Sequence, residues 1–151
     1  MTGLIPTPVG LLWVHATARG LARVELGVLP RPEEGGAGQV HFQRFKEEVA
    51  RYFAGEAVRF AVPLDYQGLP EARVRLYEAV RQIPFGTTTS YGAVGRMVGL
   101  SARAVGAGLG SCPFFLAVPA HRVVYADGRL GGFAGREGVK RWLLRHEGVH
   151  V

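Results

Sequence analysis

Two short helical segments separated by a tight turn constrain the fold of this chain more than any other feature of its sequence. Ser90 can cap a helix over residues 91–98, and Ser101 can cap a second helix over residues 102–109. The turn between the two helices is three residues long and includes Gly99. Two short helices joined by such a turn are typical of a helix-turn-helix, which the pattern therefore predicts here.

The second of these helices is built almost wholly of small residues. Arg103 lies near its start, whereas a helix that reads the major groove usually offers several long polar side chains. Two interpretations stay open: the smooth face lies against a nucleic-acid backbone or in a narrow groove, or the small residues let two helices pack tightly. The small residues are Ala102, Ala104, Gly106, Ala107 and Gly108.

Positive charge is concentrated in the second part of the chain. The formal charge is +6, and residues 1–66 hold seven basic and seven acidic residues, so the whole surplus falls in residues 67–151. Sixteen of the 18 basic residues are arginine, whose planar guanidinium suits phosphates and base edges. This distribution indicates an anionic partner, nucleic acid first, the alternative being a merely basic surface.

The cysteine and histidine content excludes several classes of protein. The one cysteine, Cys112, excludes an internal disulfide framework and a zinc site with several cysteines. His15 and His41 stand apart from other ligand types, so we expect no metal and no cofactor. The apolar run at 11–14 is too short for a signal peptide or a membrane span. We therefore expect a soluble, cytoplasmic protein, associated with the nucleoid if the source is bacterial.

The first part of the chain reads as a small antiparallel sheet. Apolar runs at 11–16 and 21–26 flank a turn and predict a β-hairpin, with Trp13 expected in the core. Alternation over residues 58–62 predicts a further strand, and the glycine and proline of residues 30–38 predict a loop.

One helix is predicted against this sheet, and a linker follows it. Apolar residues at helical spacing run to Gly55, where the helix is expected to stop. Residues 65–70 read as a linker where the charge balance changes, so we expect one domain over residues 1–66 and another over residues 67–151. The helical stripe comprises Phe42, Phe45, Val49, Tyr52 and Phe53, and we expect Phe53 in the core.

The second part is predicted to be mainly helical. Two further helices are expected around the helix-turn-helix, the first ending at Pro84. Asp127-Gly128 predicts a hairpin-type turn, and residues 131–135 a flexible loop. The fold class is α/β (α+β), a small antiparallel sheet domain followed by a winged-helix-like helical domain. The stripes of the two helices are Val74, Tyr77, Val80 and Ile83, and Val139, Trp142, Leu143 and His146.

Five linked motifs in the second part resemble the O6-alkylguanine-DNA alkyltransferase family, in order and with matching spacing through about eighty residues, apart from a slightly short turn before Arg103. They are Ile83-Pro84-Phe85-Gly86, Ser90-Tyr91-Gly92, Ala102-Arg103-Ala104-Val105-Gly106, Pro119-Ala120-His121-Arg122-Val123, and Lys140 with Leu143, Leu144, Glu147 and Gly148. The first part is similar more loosely, through Thr7-Pro8-Val9-Gly10, Gly20-Leu21-Ala22 and Phe53-Ala54-Gly55. The resemblance implies a ribonuclease-H-like first domain and a DNA-binding second domain.

One departure from the family pattern bears directly on activity. Family enzymes carry Pro-Cys-His-Arg, and that cysteine takes the alkyl group from guanine in one irreversible turnover; here the residue is Ala120. A methyl side chain has no lone pair and no ionisable proton, so it is no nucleophile. His121 and Glu147 match the pair that activates the thiol through a water molecule, and here the pair has no thiol to activate.

Two groups offer a substitute for the missing thiol. Cys112 matches a position where the family typically has asparagine, behind the site, and a packed, inert thiol is the simpler interpretation. His121 and Glu147 could instead activate water, although a general base contributes only about 10²–10⁴-fold. Neither alternative is favoured by the residues.

The resemblance implies how the binding residues act on DNA. The helix-turn-helix would lie in the minor groove while the damaged base rotates out of the duplex. Arg103 would fill the gap left by the base, and Tyr91 would press on the 3′ phosphate. For Tyr91 the alternative is a core aromatic residue with a locally bonded hydroxyl group. Arg96, Arg122 and Arg129 would lie around the site and hold phosphates.

The resemblance also implies a lesion pocket. The carbonyls of Ala120 and Val123 would accept from the amino group of the base, and the N–H of Ala134 would donate to the alkylated oxygen. Phe133 would form an apolar wall where the family usually has tyrosine, and the missing sulfur would leave room for larger adducts. The residues expected to contact DNA are Tyr91, Ser101, Ala102, Arg103, Ala104, Gly106, Ala120, Arg122, Val123, Phe133 and Ala134.

The resemblance, together with Ala120, thus implies a non-enzymatic, monomeric protein that binds O6-alkylguanine in double-stranded DNA and flips the lesion. The resemblance implies that it marks the site for nucleotide excision repair through that pathway's damage-recognition ATPase. Three alternatives stay open: a true methyltransferase in an inactive Cys-to-Ala form, an enzyme that uses water or Cys112, and a plain helix-turn-helix regulator that does not flip bases. The departure at Cys112 argues against a designed change at Ala120.

Overall fold

The computed structural model describes residues 1–27 and 31–151, whose contacts form two compact units. One unit comprises Met1–Gly68 with Pro113–Ala117, and the other comprises Leu69–Cys112 with Val118–Val151. The predicted domain boundary between residues 66 and 67 stays a prediction. In chain order the elements are β1 (Thr2–Thr7), β2 (Gly10–Thr17), β3 (Gly20–Leu26), α1 (Gln39–Phe53), α2 (Glu71–Arg81), β4 (Thr89–Ser90), α3 (Tyr91–Val98), α4 (Ala102–Gly110), a 3₁₀ turn (Ala120–Arg122), β5 (Val123–Val124) and α5 (Glu137–His146).

The sheet of the first unit is antiparallel in the order β1-β2-β3, which confirms the predicted fold class. The predicted hairpin is β2 and β3, with Leu12 opposite Leu26. Sequence reasoning missed β1, because Gly3 and Pro6 interrupt its apolar pattern. A proline is tolerated on such an edge strand, since one side of the strand needs no ladder hydrogen bond.

Two aromatic residues expected in the core of the first unit are partly exposed. Successive side chains of a strand point to opposite faces, so Trp13 lies on the face opposite the buried Leu12 and Val14. Phe53 is the last residue of α1, and its ring packs edge-on against the buried Tyr52. The core expectation for Trp13 and Phe53 is therefore wrong.

The strand predicted over residues 58–62 is absent from the described residues, although every second side chain there is buried, as the alternation predicts. Its backbone bonds to a side chain instead of a neighbouring strand. The carboxylate of Glu48, buried on α1, accepts from the N–H of Ala61 at 2.9 Å and from that of Val62 at 3.3 Å. A side-chain acceptor satisfies these donors without a ladder, which explains how the segment is buried outside the sheet.

The loop predicted between sheet and helix is only partly described. Pro30 lies outside the described residues. Residues 31–38 form neither a helix nor a strand, and their one element of sheet pairing is an isolated bridge between Glu34 and Thr2. No helix among the described residues has the length and apolar character needed to cross a bilayer.

The helix-turn-helix of the second unit is confirmed as α3 and α4. Ser90 accepts from the N–H of Ala93, and Ser101 accepts from that of Ala104, each at 3.0 Å, as expected of N-caps. Gly95 allows the tight turn, because a β-carbon there would lie 2.3 Å from the carbonyl oxygen of Leu100. Local capping and one close backbone approach therefore determine the geometry of the motif.

The other elements of this unit differ in detail from prediction. The turn at Asp127-Gly128 is confirmed by a hydrogen bond of 2.9 Å from the Tyr125 N–H to the Arg129 carbonyl. β5 does not form a hairpin and instead pairs in parallel with β4. The predicted stripe of α5 is partly wrong, because Trp142 faces outward, where it stacks on His146. The buried residues of α5 are Lys140, Leu143 and Leu144.

We predict that Glu48→Ala lowers the free energy of unfolding by about 1–3 kcal/mol, because the buried N–H of Val62 and the part-buried N–H of Ala61 lose their acceptor. Glu47→Ala, one residue earlier and exposed, is the matched control and should change it by less than about 0.5 kcal/mol. Urea unfolding of the three proteins measures the difference. Equal stability of both variants would show that Glu48 does not hold residues 61 and 62.

Candidate nucleic-acid interface

A buried carboxylate organises one end of α5. Glu147 Oε2 lies 2.5 Å from His121 Nε2, and the guanidinium of Arg122 donates to both oxygens of Glu147, at 2.9 and 3.1 Å. Arg122 also donates to the Ile83 carbonyl at 2.8 Å, and the Gly86 N–H donates to Glu147 Oε1 at 2.9 Å. We call Glu147, His121 and Arg122 the carboxylate network. It joins α5, the 3₁₀ turn and the segment that follows α2.

Burial and pairing set the charges of the carboxylate network. Burial raises the pKa of Glu147, but hydrogen bonds and charges from His121 and Arg122 outweigh it and lower that pKa to about 2. The pKa of His121 is lowered, chiefly by burial and against the opposing effect of Glu147. His121 is thus neutral at pH 7. Because a carboxylate only accepts, Nε2 carries the proton and Nδ1 keeps its lone pair, the form a general base needs.

Ala120 is the first residue of the 3₁₀ turn and directly precedes His121. It is partly exposed, and its N–H donates to the Val118 carbonyl at 2.7 Å. The residue therefore stands beside a histidine in the state that would accept a proton, yet its methyl group has no proton to give and no lone pair.

A buried ammonium group holds two of the predicted site residues. Lys140 is fully buried, and its Nζ donates to the Val123 carbonyl at 2.7 Å and to the Tyr91 hydroxyl at 3.2 Å. Its Nζ also lies 5.5 Å from the ring centre of Tyr91 and 6.0 Å from that of Phe133. Burial lowers the pKa of Lys140 to about 8, against the opposing effect of Glu137. The lysine thus ties α5 to β5 and to the start of α3.

The second unit contains a pocket of about 560 Å³ between α4 and the loop that precedes α5. Most of its lining residues have no side chain beyond Cβ, so the small face of α4 forms one wall. Gly108 instead packs on α2, where a β-carbon would lie 2.5 Å from Leu76. The packing interpretation is therefore confirmed for Gly108, and contact of the small face with nucleic acid stays a prediction. The lining is Tyr91, Ala102, Arg103, Gly106, Ala107, Gly110, Tyr125, Gly132 and Ala134.

Five of the predicted contact residues line this pocket. Ser101 and Ala104 instead form the N-cap of α4, and Ala120, Val123 and Phe133 lie outside the pocket lining. Arg122 requires a correction, because it is 3% exposed and its guanidinium is already bonded to Glu147, which leaves it no free face for a phosphate. The five that the structure brings together are Tyr91, Ala102, Arg103, Gly106 and Ala134.

Sequence reasoning missed Tyr125 at the pocket and the role of Lys140. An exposed aromatic residue after a two-residue strand has no distinctive pattern, so no signal marked Tyr125. Lys140 does have a signal, since it belongs to the last family motif and stands on the buried side of an amphipathic helix. Cys112 is partly exposed, follows α4 and is not among the residues that line the pocket.

Comparison with known proteins identifies the class of both halves of the chain. Residues 1–66 match the model of the 6-O-methylguanine DNA methyltransferase, ribonuclease-like domain. Residues 71–149 match that of the 6-O-methylguanine DNA methyltransferase, DNA binding domain. The chain therefore belongs to the O6-alkylguanine-DNA alkyltransferase family, and it is an alkyltransferase-like member of it.

Relatives that match nearly the whole chain carry two different names. The chain is 58% identical over 147 residues to a protein of Thermus thermophilus named DNA base-flipping protein, covering 96% of this chain and 98% of that one. It is 34% identical to the methylated-DNA--protein-cysteine methyltransferase of Salmonella typhimurium, covering 95% and 93%. The crystal structure of Mycobacterium tuberculosis OGT in complex with DNA matches with a TM-score of 0.81 at 33% identity, covering 95% and 90%.

We predict that the stability of the wild type relative to Lys140→Met increases with pH. In the unfolded chain the lysine keeps its proton up to its ordinary pKa of 10.5, whereas the folded protein releases it near 8. The unfolded state therefore binds more protons between these values, and wild-type stability gains up to about 3 kcal/mol across that window.

Urea unfolding at pH 7.5, 9 and 10.5 measures this gain. Lys46→Met, at the other lysine of the chain and exposed on α1, is the matched control for the loss of a lysine side chain. A constant difference between wild type and Lys140→Met would contradict the buried, depressed lysine.

Proposed function

We propose that this protein recognises O6-alkylguanine in double-stranded DNA, rotates the lesion out of the helix and holds it without removing the alkyl group. The observation that carries the proposal is the combination of an alanine at position 120 with an adjacent carboxylate network that is fully paired. The machinery that would activate a nucleophile is present, and the nucleophile is not.

Alkyl transfer requires a lone pair at the position of the cysteine sulfur. The methyl group of Ala120 offers none. In the absence of a thiol, water is the group from which the neutral His121 would take a proton. Water is a poor nucleophile toward an alkyl carbon, and general base catalysis supplies only about 10²–10⁴-fold. Binding without turnover is therefore the outcome that this site favours.

The pocket beside α4 supports recognition by base rotation. Arg103 is exposed at the second position of α4, at the rim of the pocket, where a side chain could occupy the space of a rotated base. Ala134 has φ of 50°, a left-handed conformation that non-glycine residues rarely adopt and that is often retained at binding sites. Rotating a base costs a few kcal/mol, less for a lesion that already pairs poorly. These features suit a protein that captures a weakly paired base.

The proposed partner is a repair system that removes the lesion, because the protein itself leaves the alkyl group in place. A protein that holds a lesion without repairing it is useful only if another system removes the damage. We propose that the bound, monomeric protein marks the site for nucleotide excision repair through its damage-recognition ATPase, in the cytoplasm and on the nucleoid of a bacterium. The name of the Thermus thermophilus relative, DNA base-flipping protein, supports the binding step.

Binding and turnover can be separated in one experiment. Excess protein is mixed with a duplex that contains a single O6-methylguanine, its affinity is compared with that for the undamaged duplex, and the methyl group is then assayed. We expect clear preference for the damaged duplex and full retention of the methyl group. Loss of the group to protein or water would show an enzyme, and equal affinity for the two duplexes would show a plain DNA-binding regulator.

Arg103 and Arg96 should affect DNA binding differently. Arg103→Ala should weaken binding to the O6-methylguanine duplex by at least about 1 kcal/mol while changing undamaged binding less, because its proposed contact exists only when a base is rotated out. Arg96→Ala, at an exposed arginine on α3, should weaken both duplexes equally and reduce the salt dependence. Affinity titrations at two salt concentrations measure both effects. Equal behaviour of the two variants would remove the proposed role of Arg103.

A further inference from the structure

The exposed side of α5 combines an aromatic pair with two arginines. The indole of Trp142 is 38% exposed and stacks on the imidazole of His146, with ring centroids 5.1 Å apart and the ring planes 15° apart. Arg141 and Arg145, one turn apart on the same helix, are both exposed. We call Arg141, Trp142, Arg145 and His146 the outer face of α5. It presents a flat aromatic surface beside two permanent positive charges.

The outer face of α5 points away from the pocket beside α4. Lys140 points inward, where its Nζ donates to the hydroxyl group of Tyr91, a residue that lines that pocket. Leu143 and Leu144 are fully buried on the same side of the helix as Lys140. Trp142 comes two residues after Lys140, which places it about 200° around the helix axis from the lysine. The outer face is therefore accessible when the pocket is occupied.

The second half of the outer face is positively charged. Glu137, the acidic residue of α5, stands at the first position of the helix, about 12 Å from Arg145 along the axis. Glu147, which follows the helix, is buried and already paired with Arg122. The Nε of Arg145 donates to the Val151 carbonyl at 2.8 Å, and its two terminal nitrogens have no hydrogen-bond partner among the described residues. The guanidinium is thus held in place and can still bind a carboxylate.

A pocket of about 360 Å³ adjoins the outer face at the end of the helix. Arg145 belongs both to the outer face and to the lining of this pocket, so the two are continuous. A pocket of this size has room for an apolar side chain of a partner, the type of contact that anchors protein–protein interfaces. The rest of its lining is Gly148, Val149, His150 and Val151.

These features favour an acidic protein segment over duplex DNA as the occupant. A duplex presents phosphates and sugars outward and keeps its bases stacked inside, so it offers little apolar surface to an exposed indole. A protein segment presents carboxylates and apolar side chains together. Tryptophan and arginine are also the residues that most often carry the binding energy of protein–protein interfaces. The composition of the outer face therefore matches a partner that is both acidic and apolar.

We propose that the outer face of α5 binds an acidic segment of a partner protein while DNA occupies the site beside α4. Carboxylates of the segment pair with Arg141 and Arg145, and one of its apolar side chains packs on Trp142. This assignment rests on the proposed function in one respect, since a protein that leaves a lesion in place requires a partner that removes it. The partner is defined by its chemistry, a segment that alternates carboxylates with apolar side chains.

The test uses a fluorescently labelled peptide of alternating glutamate and leucine. Its binding to the protein on the O6-methylguanine duplex is followed by anisotropy at physiological ionic strength, where charges more than about 8 Å apart are screened. We expect Trp142→Ala, and the double variant Arg141→Gln with Arg145→Gln, each to weaken peptide binding about tenfold. Affinity for the duplex should change less than about twofold in both, because neither reaches the pocket beside α4.

Two controls separate the contacts. Lys46→Gln with Arg51→Gln removes the same charge from exposed positions of α1 and should bind the peptide as the wild type does. A peptide of alternating glutamate and serine keeps the carboxylates without the apolar side chains. It should bind the wild type about tenfold more weakly than the leucine peptide does, and Trp142→Ala should not weaken it further.

Four results would overturn this assignment: no binding of the glutamate–leucine peptide, equal binding of a lysine–leucine peptide, peptide binding unchanged in both outer-face variants, or displacement of the duplex by the peptide. A single-stranded oligonucleotide that binds the duplex-bound wild type and not Trp142→Ala would assign the face to nucleic acid instead. Failure of the proposed function is a separate result, a wild type that does not prefer the O6-methylguanine duplex to undamaged DNA. The peptide titration repeated without DNA then still decides whether the outer face of α5 binds acidic segments.

Discussion

The carboxylate of Glu147 accepts hydrogen bonds from three groups in two other parts of the second unit. They are the backbone N–H of Gly86 and the side chains of His121 and Arg122, and both of these side chains are buried together with Glu147. Removing one partner of such a cluster leaves an uncompensated charge in the interior, which costs about 3–5 kcal/mol. The path of the chain around the site therefore depends on this carboxylate, whatever chemistry takes place beside it.

A second buried cation, Lys140, stabilises the wall of the pocket. Lys140 bonds to the Val123 carbonyl and to the Tyr91 hydroxyl, and Tyr91 in turn packs on Tyr125. In the carboxylate network a full negative charge balances Arg122, whereas the hydrogen-bond partners of Lys140 are neutral oxygens. The lowered pKa of Lys140 reflects this difference in compensation. The position of the pocket wall is thus coupled to a buried charge on α5.

The sequence predicted what local interactions determine. The bounds of α3 and the start of α4 follow from serine caps and a glycine turn, all within about twenty residues. The partners of Arg122 and Lys140 were not predicted, because a basic residue in a motif has the same pattern whether it contacts phosphate or a buried carboxylate. The prediction of a strand over residues 58–62 was wrong for a related reason. The alternation predicted correctly which side chains are buried, but it could not show that the backbone would bond to the side chain of Glu48.

The position of Ala120 explains how binding and chemistry can be separated in this fold. The residue is partly exposed and contributes only a methyl group and backbone hydrogen bonds. Either cysteine or alanine can therefore stand at this position without leaving a buried polar group unpaired. His121, Arg122 and Glu147 allow no comparable exchange, because each is the partner of another buried polar group. A member of the family with alanine at this position is therefore expected to keep the carboxylate network. The network is required for the structure of this part of the second unit, whatever chemistry takes place beside it.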